Sequence, residues 1–106
     1  MWTPLHFACN SGYFDICKLL VKYGANVMSL TETYAVPLHY LVRISDEVDW
    51  VETKKLIKSL LQEGTDINAR DRYGRTPLYG VCSRGRNEAC IRFLLENGAN
   101  ANVKNE

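Results

Sequence analysis

Apolar residues recur along this chain in short stripes at helical spacing. Leu5, Ala8 and Cys9 stand at positions i, i+3 and i+4, the spacing of one buried face of an α-helix. The stripe returns twice further along, at Leu38, Leu41 and Val42 and at Leu78, Val81 and Cys82. The pattern predicts a short first helix in each of three similar units.

A second apolar stripe follows each first one after a polar break. Its members are Cys17, Leu20 and Val21, then Ile57, Leu60 and Leu61, then Ile91, Leu94 and Leu95. Shortly after each stripe comes a glycine, at positions 24, 64 and 98. Glycine can take the left-handed conformation that ends a helix without a clash at Cβ. Each unit is therefore predicted to read helix, turn, helix and stop.

A four-residue motif opens each first helix. It reads Thr3-Pro4-Leu5-His6, Val36-Pro37-Leu38-His39 and Thr76-Pro77-Leu78-Tyr79. Threonine can cap the free N–H groups of the first turn, and proline suits the first helical position because it has no N–H. Val36 has no side-chain oxygen, so we expect the missing cap to cost the middle unit about 1 kcal/mol.

The motifs lie 33 and then 40 residues apart. A period near 33 is typical of a solenoid, in which each unit buries its apolar face only by stacking on its neighbours. The extra residues fall at about 46–52, between the two helices of the middle unit. Because they amount to nearly two helical turns, we expect each of those helices to lengthen by about one turn.

Polar stretches at 25–35 and 65–75 join the units. The second contains Asn68-Ala69-Arg70-Asp71-Arg72-Tyr73-Gly74, whose turn-forming residues suit a hairpin-like projection, or finger. Together with the Thr-Pro-Leu-His opening and the Leu-Leu-x-x-Gly-Ala helix end, this finger resembles the ankyrin repeat. The resemblance implies an all-α solenoid of stacked helix-turn-helix units joined by hairpin-like fingers. We expect one domain, 1–106, with repeats at about 1–33, 34–73 and 74–106.

The first finger departs from that pattern. Met28 stands at the usual asparagine position, and Tyr34 stands where glycine normally turns the chain. Because positive φ is costly for a residue with a side chain, we expect this finger to be reshaped.

Charge and hydropathy exclude some partners. Thirteen Lys and Arg against twelve Asp and Glu leave a net charge of +1, unlike the strong basic excess of nucleic-acid binders. No apolar run is long enough to cross a membrane, and the first residues lack the pattern of a signal peptide. We expect no nucleic-acid partner, no membrane insertion, and a cytoplasmic location, with a nuclear one as the alternative.

The four cysteines are expected to be free thiols in apolar positions. Cys9 and Cys82 fall where the middle unit has Val42, and Cys17 falls where the other units have isoleucine. Cysteine in such positions behaves as a small hydrophobe. No Cys-x-x-Cys pair is present, so a disulfide, a metal site or a catalytic thiol is the less favoured alternative.

No catalytic, cofactor-binding or metal-binding residues are predicted. His6 and His39 share one repeat position, which favours a structural role, and the resemblance implies hydrogen bonds to backbone between fingers and helices. The insertion carries a run of acidic residues that could form an acid–base or metal cluster, although such a run is usually a solvated face. The acidic residues are Asp46, Glu47, Asp49 and Glu52.

The resemblance implies a protein partner, bound on the concave side lined by the fingers and first helices. Aromatic residues and arginine dominate that side, and these types supply most interface energy. The candidate contact residues, together with Trp50 of the insertion, are Trp2, Phe7, Asn10, Tyr40, Arg43, Trp50, Arg70, Arg72, Tyr73, Arg75 and Ser83.

Two of these assignments have an open alternative. Trp50 could be an exposed contact or could pack locally to anchor the insertion. Arginines give the third unit a basic surface that would suit an acidic and apolar partner segment, or they could serve solubility alone. These arginines are Arg70, Arg72, Arg75, Arg84 and Arg86.

The chain ends suggest a second function. The chain begins at a helix start and ends within another finger, as expected of a piece cut from a longer array. Its end units also keep apolar residues. These are Ile16, Leu19 and Leu20 at one end and Ile91, Phe93 and Leu94 at the other. The alternative to partner binding is therefore a structural spacer that packs against neighbouring repeats, another domain or a second copy.

Overall fold

The residues that the structure describes form six helices, arranged as three helix-turn-helix units. The computed structural model describes residues 1–43, 45–46, 49–85 and 87–104, and within them it contains helices and turns but no β-strand. The helices are α1 (Pro4–Ser11), α2 (Phe14–Lys22), α3 (Pro37–Arg43), α4 (Trp50–Gln62), α5 (Pro77–Arg84) and α6 (Glu88–Glu96). The chain is all-α, as predicted.

The helices stack in two layers. The first helices α1, α3 and α5 pack side by side in one layer, and the second helices α2, α4 and α6 form the other. Leu5, Leu38 and Leu78 begin the apolar stripes of the first layer, and their exposed fractions are 1%, 0% and 7%. The leucines therefore lie in one continuous core, which confirms the predicted stacking of repeats.

The hydrogen bonds at the starts of the first helices explain why α3 forms without a threonine cap. In α1, Thr3 and His6 form a reciprocal capping box, with the His6 N–H donating to the Thr3 side chain and the Thr3 N–H donating to His6 Nδ1. In α3, the Val36 N–H still donates to His39 Nδ1 at 3.0 Å. Valine therefore removes one of the two capping bonds, and histidine keeps the other.

The expectation that the first finger is reshaped is wrong. Thr31 N–H donates to the Ala35 carbonyl at 3.1 Å, and Tyr34 N–H donates to the Thr31 carbonyl at 2.9 Å. The second finger forms the same pair of bonds around Gly74. Tyr34 adopts φ of 58° where Gly74 has 77°, which for a non-glycine residue costs about 1–2 kcal/mol. The turn is preserved because its hydrogen bonds hold the tyrosine in the left-handed conformation.

The insertion lengthens only one of the two helices that flank it. Helix α4 has 13 residues against 9 in α2 and in α6, whereas α3 has only 7, so the predicted extension of the first helix is wrong. Two contacts hold the added turn of α4. The Trp50 ring packs edge-on against Phe93 of α6 at 5.8 Å, and Glu52 pairs with Lys18 of α2 at 2.7 Å. Glu47 and Val48 of the insertion lie outside the described residues.

The outermost residues differ in part from those expected. Ile16 and Leu19 are exposed at one end, but Phe93 and Leu94 are buried at the other. Trp50 and Lys54 of α4 lie over Phe93, and Leu94 belongs to the core. Leu95, predicted to belong to the buried stripe, is instead 42% exposed. Of the final finger, Asn105 and Glu106 lie outside the described residues.

Three of the four thiols are buried, and Cys82 is exposed. The expectation of an apolar slot is therefore wrong for Cys82, because α5 is covered by another first helix on one side only among the described helices. All four thiols are free. Burial raises the pKa of the Cys90 thiol to about 11, so this thiol stays protonated at neutral pH.

Replacing Leu38 by alanine is expected to lower the free energy of unfolding by about 3 kcal/mol, because it leaves a cavity between stacked first helices. The matched control is Leu19→Ala on α2, where the leucine is 55% exposed and the expected change is about 0.5 kcal/mol or less. Urea denaturation followed by circular dichroism measures both. Equal destabilisation by the two substitutions would contradict the stacked core.

Candidate functional site

One histidine in α1 and one in α3 join each of these helices to the finger that follows it. His6 Nε2 lies 3.1 Å from the Ala35 carbonyl, and His39 Nε2 lies 3.0 Å from the Arg75 carbonyl. Because Nδ1 of each ring accepts the backbone N–H at its own helix start, Nε2 must carry the proton and donate. Burial lowers the pKa of both imidazoles, so both are neutral at pH 7. The predicted structural role of the histidines is confirmed.

The surface formed by the fingers and by α1, α3 and α5, here called the inner surface, carries an aromatic cluster at its first-repeat end. The Trp2 ring lies 4.5 Å from that of Tyr40 and 5.0 Å from that of Phe7. Tyr40 is only 6% exposed and donates its O–H to Thr31 Oγ1, whereas Phe7 is 59% exposed. Trp2 and Phe7 are therefore the accessible members, and Tyr40 supports them from the core rather than projecting as expected.

Two arginines of the inner surface are held in place by their neighbours. The Arg43 guanidinium lies 5.2 Å from the centre of the Tyr40 ring, and that of Arg75 lies 4.7 Å from the centre of the Tyr73 ring. Arg75 Nε also donates to Asp71 Oδ2 at 3.1 Å. Both cations thus have defined positions before any partner arrives.

Asp71 is the residue that organises the second finger. Its side chain is 3% exposed, and Oδ1 accepts the N–H groups of Tyr73 and Arg75, both at 2.9 Å. With Oδ2 bonded to the Arg75 side chain, the carboxylate is occupied on both oxygens. Asp71 fixes the finger and neutralises one arginine.

The other arginines of this finger have different surroundings. Arg70 donates to the Lys104 carbonyl at 2.8 Å, and so ties the second finger to the following segment. The Arg72 side chain is exposed, while its N–H donates to the Thr33 carbonyl at 2.7 Å and joins the two fingers. Of these two side chains, that of Arg70 is fixed by its hydrogen bond to Lys104, whereas that of Arg72 is more free to contact a partner.

A cavity of about 260 Å³ opens on the inner surface between α3, α5 and the second finger. It brings together three predicted contact residues, Arg43, Arg75 and Ser83, and adds Arg84. The sequence marks Arg84 only by its charge, although its place next to Ser83 in the last turn of α5 is a signal for a contact residue. Arg86, the other arginine of this segment, lies outside the described residues.

Two predicted contact residues lie apart from these clusters. Asn10 is exposed on α1. Trp50 is on the second-helix layer, half-buried against Phe93. Trp50 is therefore a packing residue, as one of the two alternatives predicted. Its contact with Phe93 joins the second repeat to the third and does not anchor the inserted loop.

The acidic residues of the insertion are used locally where they are described. Glu52 pairs with Lys18 and Lys55, and Asp46 Oδ1 accepts the Asp49 N–H. Within residues 1–43, 45–46, 49–85 and 87–104, no group of three acidic, histidine or cysteine side chains is placed to hold a metal ion. No helix in that part of the chain has the length and apolar character needed to cross a membrane.

Comparisons with known proteins agree with this architecture. The ankyrin repeat family model matches residues 1–32, and the model for three copies of the repeat matches residues 48–106. The chain belongs to the ankyrin repeat family. Ankyrin repeats are generally protein–protein interaction modules and generally non-catalytic, so a protein partner is implied.

Two relatives show how widely the repeats are used. The chain is 36% identical over 105 residues to the ankyrin repeat protein nuc-2 of Neurospora crassa, covering 98% of this chain and 9% of nuc-2. It is 33% identical over 102 residues to a serine/threonine-protein kinase of Mus musculus, covering 95% of this chain and 12% of the kinase. This ankyrin chain thus spans about a tenth of the length of these relatives.

Acidification is expected to destabilise this ankyrin domain through its histidines. Because burial lowers their pKa from the ordinary value of 6.5, the unfolded chain binds protons more readily than the folded one. Stability is therefore retained above pH 6.5 and lost as the pH falls toward the lowered values.

Urea unfolding at about pH 7.5 and about pH 5.5 measures this effect, since carboxylates titrate mainly below that range. His39→Gln should show a smaller loss on acidification than wild type, and the surface control Lys22→Gln should keep the full loss. A His39→Gln variant with the full wild-type pH dependence would contradict the assignment.

Proposed function

We propose that this chain binds another protein through its inner surface, as an adaptor or targeting segment of a larger intracellular protein in the cytoplasm or nucleus. The observation that carries the proposal is the concentration of accessible aromatic and arginine side chains on that surface. Trp2 and Phe7 lie at one end, and Arg43, Arg75 and Tyr73 lie toward the other.

The way these side chains are held supports binding. Arg43 is stacked on Tyr40, and Arg75 is held by Asp71 and Tyr73. Side chains that are already ordered lose less conformational entropy on association. Aromatic and arginine residues are also the types most often found at the energetic centre of interfaces. No reaction is part of this proposal.

The test is selection of binding peptides from a displayed random library, followed by calorimetric affinity measurements. Phe7→Ala and Arg72→Glu are expected to weaken a selected peptide by at least about tenfold, since each removes a contact worth about 1.4 kcal/mol or more. The matched controls are Tyr23→Ala, directly after α2, and Arg92→Glu, within α6. Both residues are exposed. Equal effects of the two pairs, or failure to select any peptide, would count against the inner surface.

A second function is favoured by one specific observation. Ile16 and Leu19 are exposed in α2, yet the equivalent positions in α6, Cys90 and Phe93, are buried toward the preceding unit. These two side chains therefore present a stacking surface. We propose as the alternative function that the domain is a spacer whose end units pack against neighbouring repeats, another domain or a second copy.

Sedimentation velocity distinguishes this alternative in its self-associating form. If the α2 surface joins two copies, the sedimentation coefficient should rise with protein concentration, and Ile16→Lys combined with Leu19→Lys should abolish the rise, because charges would enter an apolar contact. Val51→Lys on α4 of the middle unit, where the valine is 65% exposed, is the control. A sedimentation coefficient independent of concentration in wild type would exclude self-association through this surface.

A further inference from the structure

We infer that the cavity between α3, α5 and the second finger receives an acidic side chain of the partner protein, either a carboxylate or a phosphate. We call it the arginine cavity, defined by Arg43, Arg75 and Arg84. The inference rests on the proposed function, because it names the chemistry of the partner segment at one place on the inner surface.

Three separate elements bring the cations together. Arg43 is the last residue of α3, Arg84 is the last residue of α5, and Arg75 lies in the finger just before α5. All three line a cavity of about 260 Å³. Since a liquid water molecule occupies roughly 30 Å³, the cavity has room for one acidic side chain together with bound water.

Gly80 is the reason that space exists here. The position is the fourth in its helix and is occupied by Phe7 in α1 and by Tyr40 in α3. In α5 it is glycine, and a Cβ added there would meet no atom within 4 Å. The third unit thus leaves open the volume that aromatic rings occupy in the other two.

The charges that line the cavity do not balance. Asp71 is the only carboxylate among its lining residues, and both its oxygens are already bonded within the finger, one of them to Arg75. Among the described residues, neither Arg43 nor Arg84 has a carboxylate within ion-pair distance. His39 is neutral, because its Nδ1 accepts a backbone N–H and its Nε2 donates. The positive charges of Arg43 and Arg84 are therefore available to a ligand.

Arginine suits this ligand in its chemistry as well as in its charge. The guanidinium group offers a planar set of N–H donors that can bind two oxygens of a carboxylate or phosphate at once. Arg43 is already stacked on Tyr40. Arg84 is exposed and can turn toward an incoming oxyanion. The alternative role of these two residues is to stabilise helix C-termini through the helix dipole, which would affect folding but not anion binding.

The first experiment probes the cavity without any partner. Inorganic phosphate and acetate are titrated separately into the whole 106-residue chain, and the arginine Nε–Hε signals are followed by NMR. We expect saturable shifts at Arg43 and Arg84 that disappear in Arg84→Gln, with no such shift at Arg92 on α6. Uniform, non-saturating shifts of all arginines would overturn the inference.

The second experiment uses variants that separate charge from space. Arg43→Gln and Arg84→Gln remove the cations, whereas Gly80→Leu fills the cavity and keeps them. Gly80→Leu is expected to fold, because leucine is a better helix former than glycine and open space lies at this Cβ. Each variant should weaken a selected acidic peptide about tenfold or more, and Arg92→Gln should leave its affinity unchanged. Thermal unfolding verifies that each variant is folded.

Peptide substitutions identify the anion. Replacing the key acidic residue by glutamine should cost about tenfold in affinity, and comparison of glutamate with phosphoserine shows which source the cavity prefers. If peptides bind in a manner sensitive to Phe7 but indifferent to Arg43, Arg84 and Gly80, the inference is wrong while the proposed function stands. If the chain selects no peptide but saturates with phosphate or acetate, the proposed function fails and the anion site stands.

Discussion

Each repeat of this chain is stable only because its first helix packs against the first helix of a neighbouring repeat. Leu38 shows the dependence most clearly, since α3 lies between α1 and α5 and its leucine has no exposed surface. A unit of two short helices cannot remove its apolar stripe from water alone. The two-layer arrangement, the end surfaces and the position of every inner-surface residue follow from that constraint.

The two histidines fix the positions of the first two fingers relative to the helices before them. Packing of apolar side chains tolerates sliding, because the hydrophobic effect is not directional. The bonds from His6 to the Ala35 carbonyl and from His39 to the Arg75 carbonyl are directional, and each fixes a finger relative to the helix before it. The second of these bonds places the backbone of Arg75 and so helps to form the arginine cavity.

The middle repeat shows how a local defect can be tolerated. Val36 removes a side-chain cap and Tyr34 carries a left-handed backbone, yet helix start and finger keep their geometry. The cost of each defect is about 1 or 2 kcal/mol. A neighbouring histidine bond and a pair of turn hydrogen bonds hold the backbone, because both repeats that flank this one are already stacked on it.

Periodicity predicted stacked helix-turn-helix units, and the resemblance to the ankyrin repeat implied the fingers that join them. Apolar spacing, Pro-Leu openings and closing glycines each report local backbone preferences, and three copies of the same helical pattern indicate stacked units. The role of His6 and His39 also followed from their shared repeat position. The stripes, openings and closing glycines depend on residues close in sequence, so the chain itself determines them, whereas the histidine bonds reach carbonyls 29 and 36 residues away.

The inner surface was predictable only in part. Its residue types could be named, but the burial of Tyr40 depends on Trp2 lying across it from the preceding repeat, and the exposure of Cys82 depends on which helices flank α5. The cavity required Arg43, Arg84 and Gly80 to meet across two helices and a finger. The sequence by itself determined the units and their order, whereas contacts between units decided which side chains remain accessible, because burial depends on neighbours that are distant along the chain.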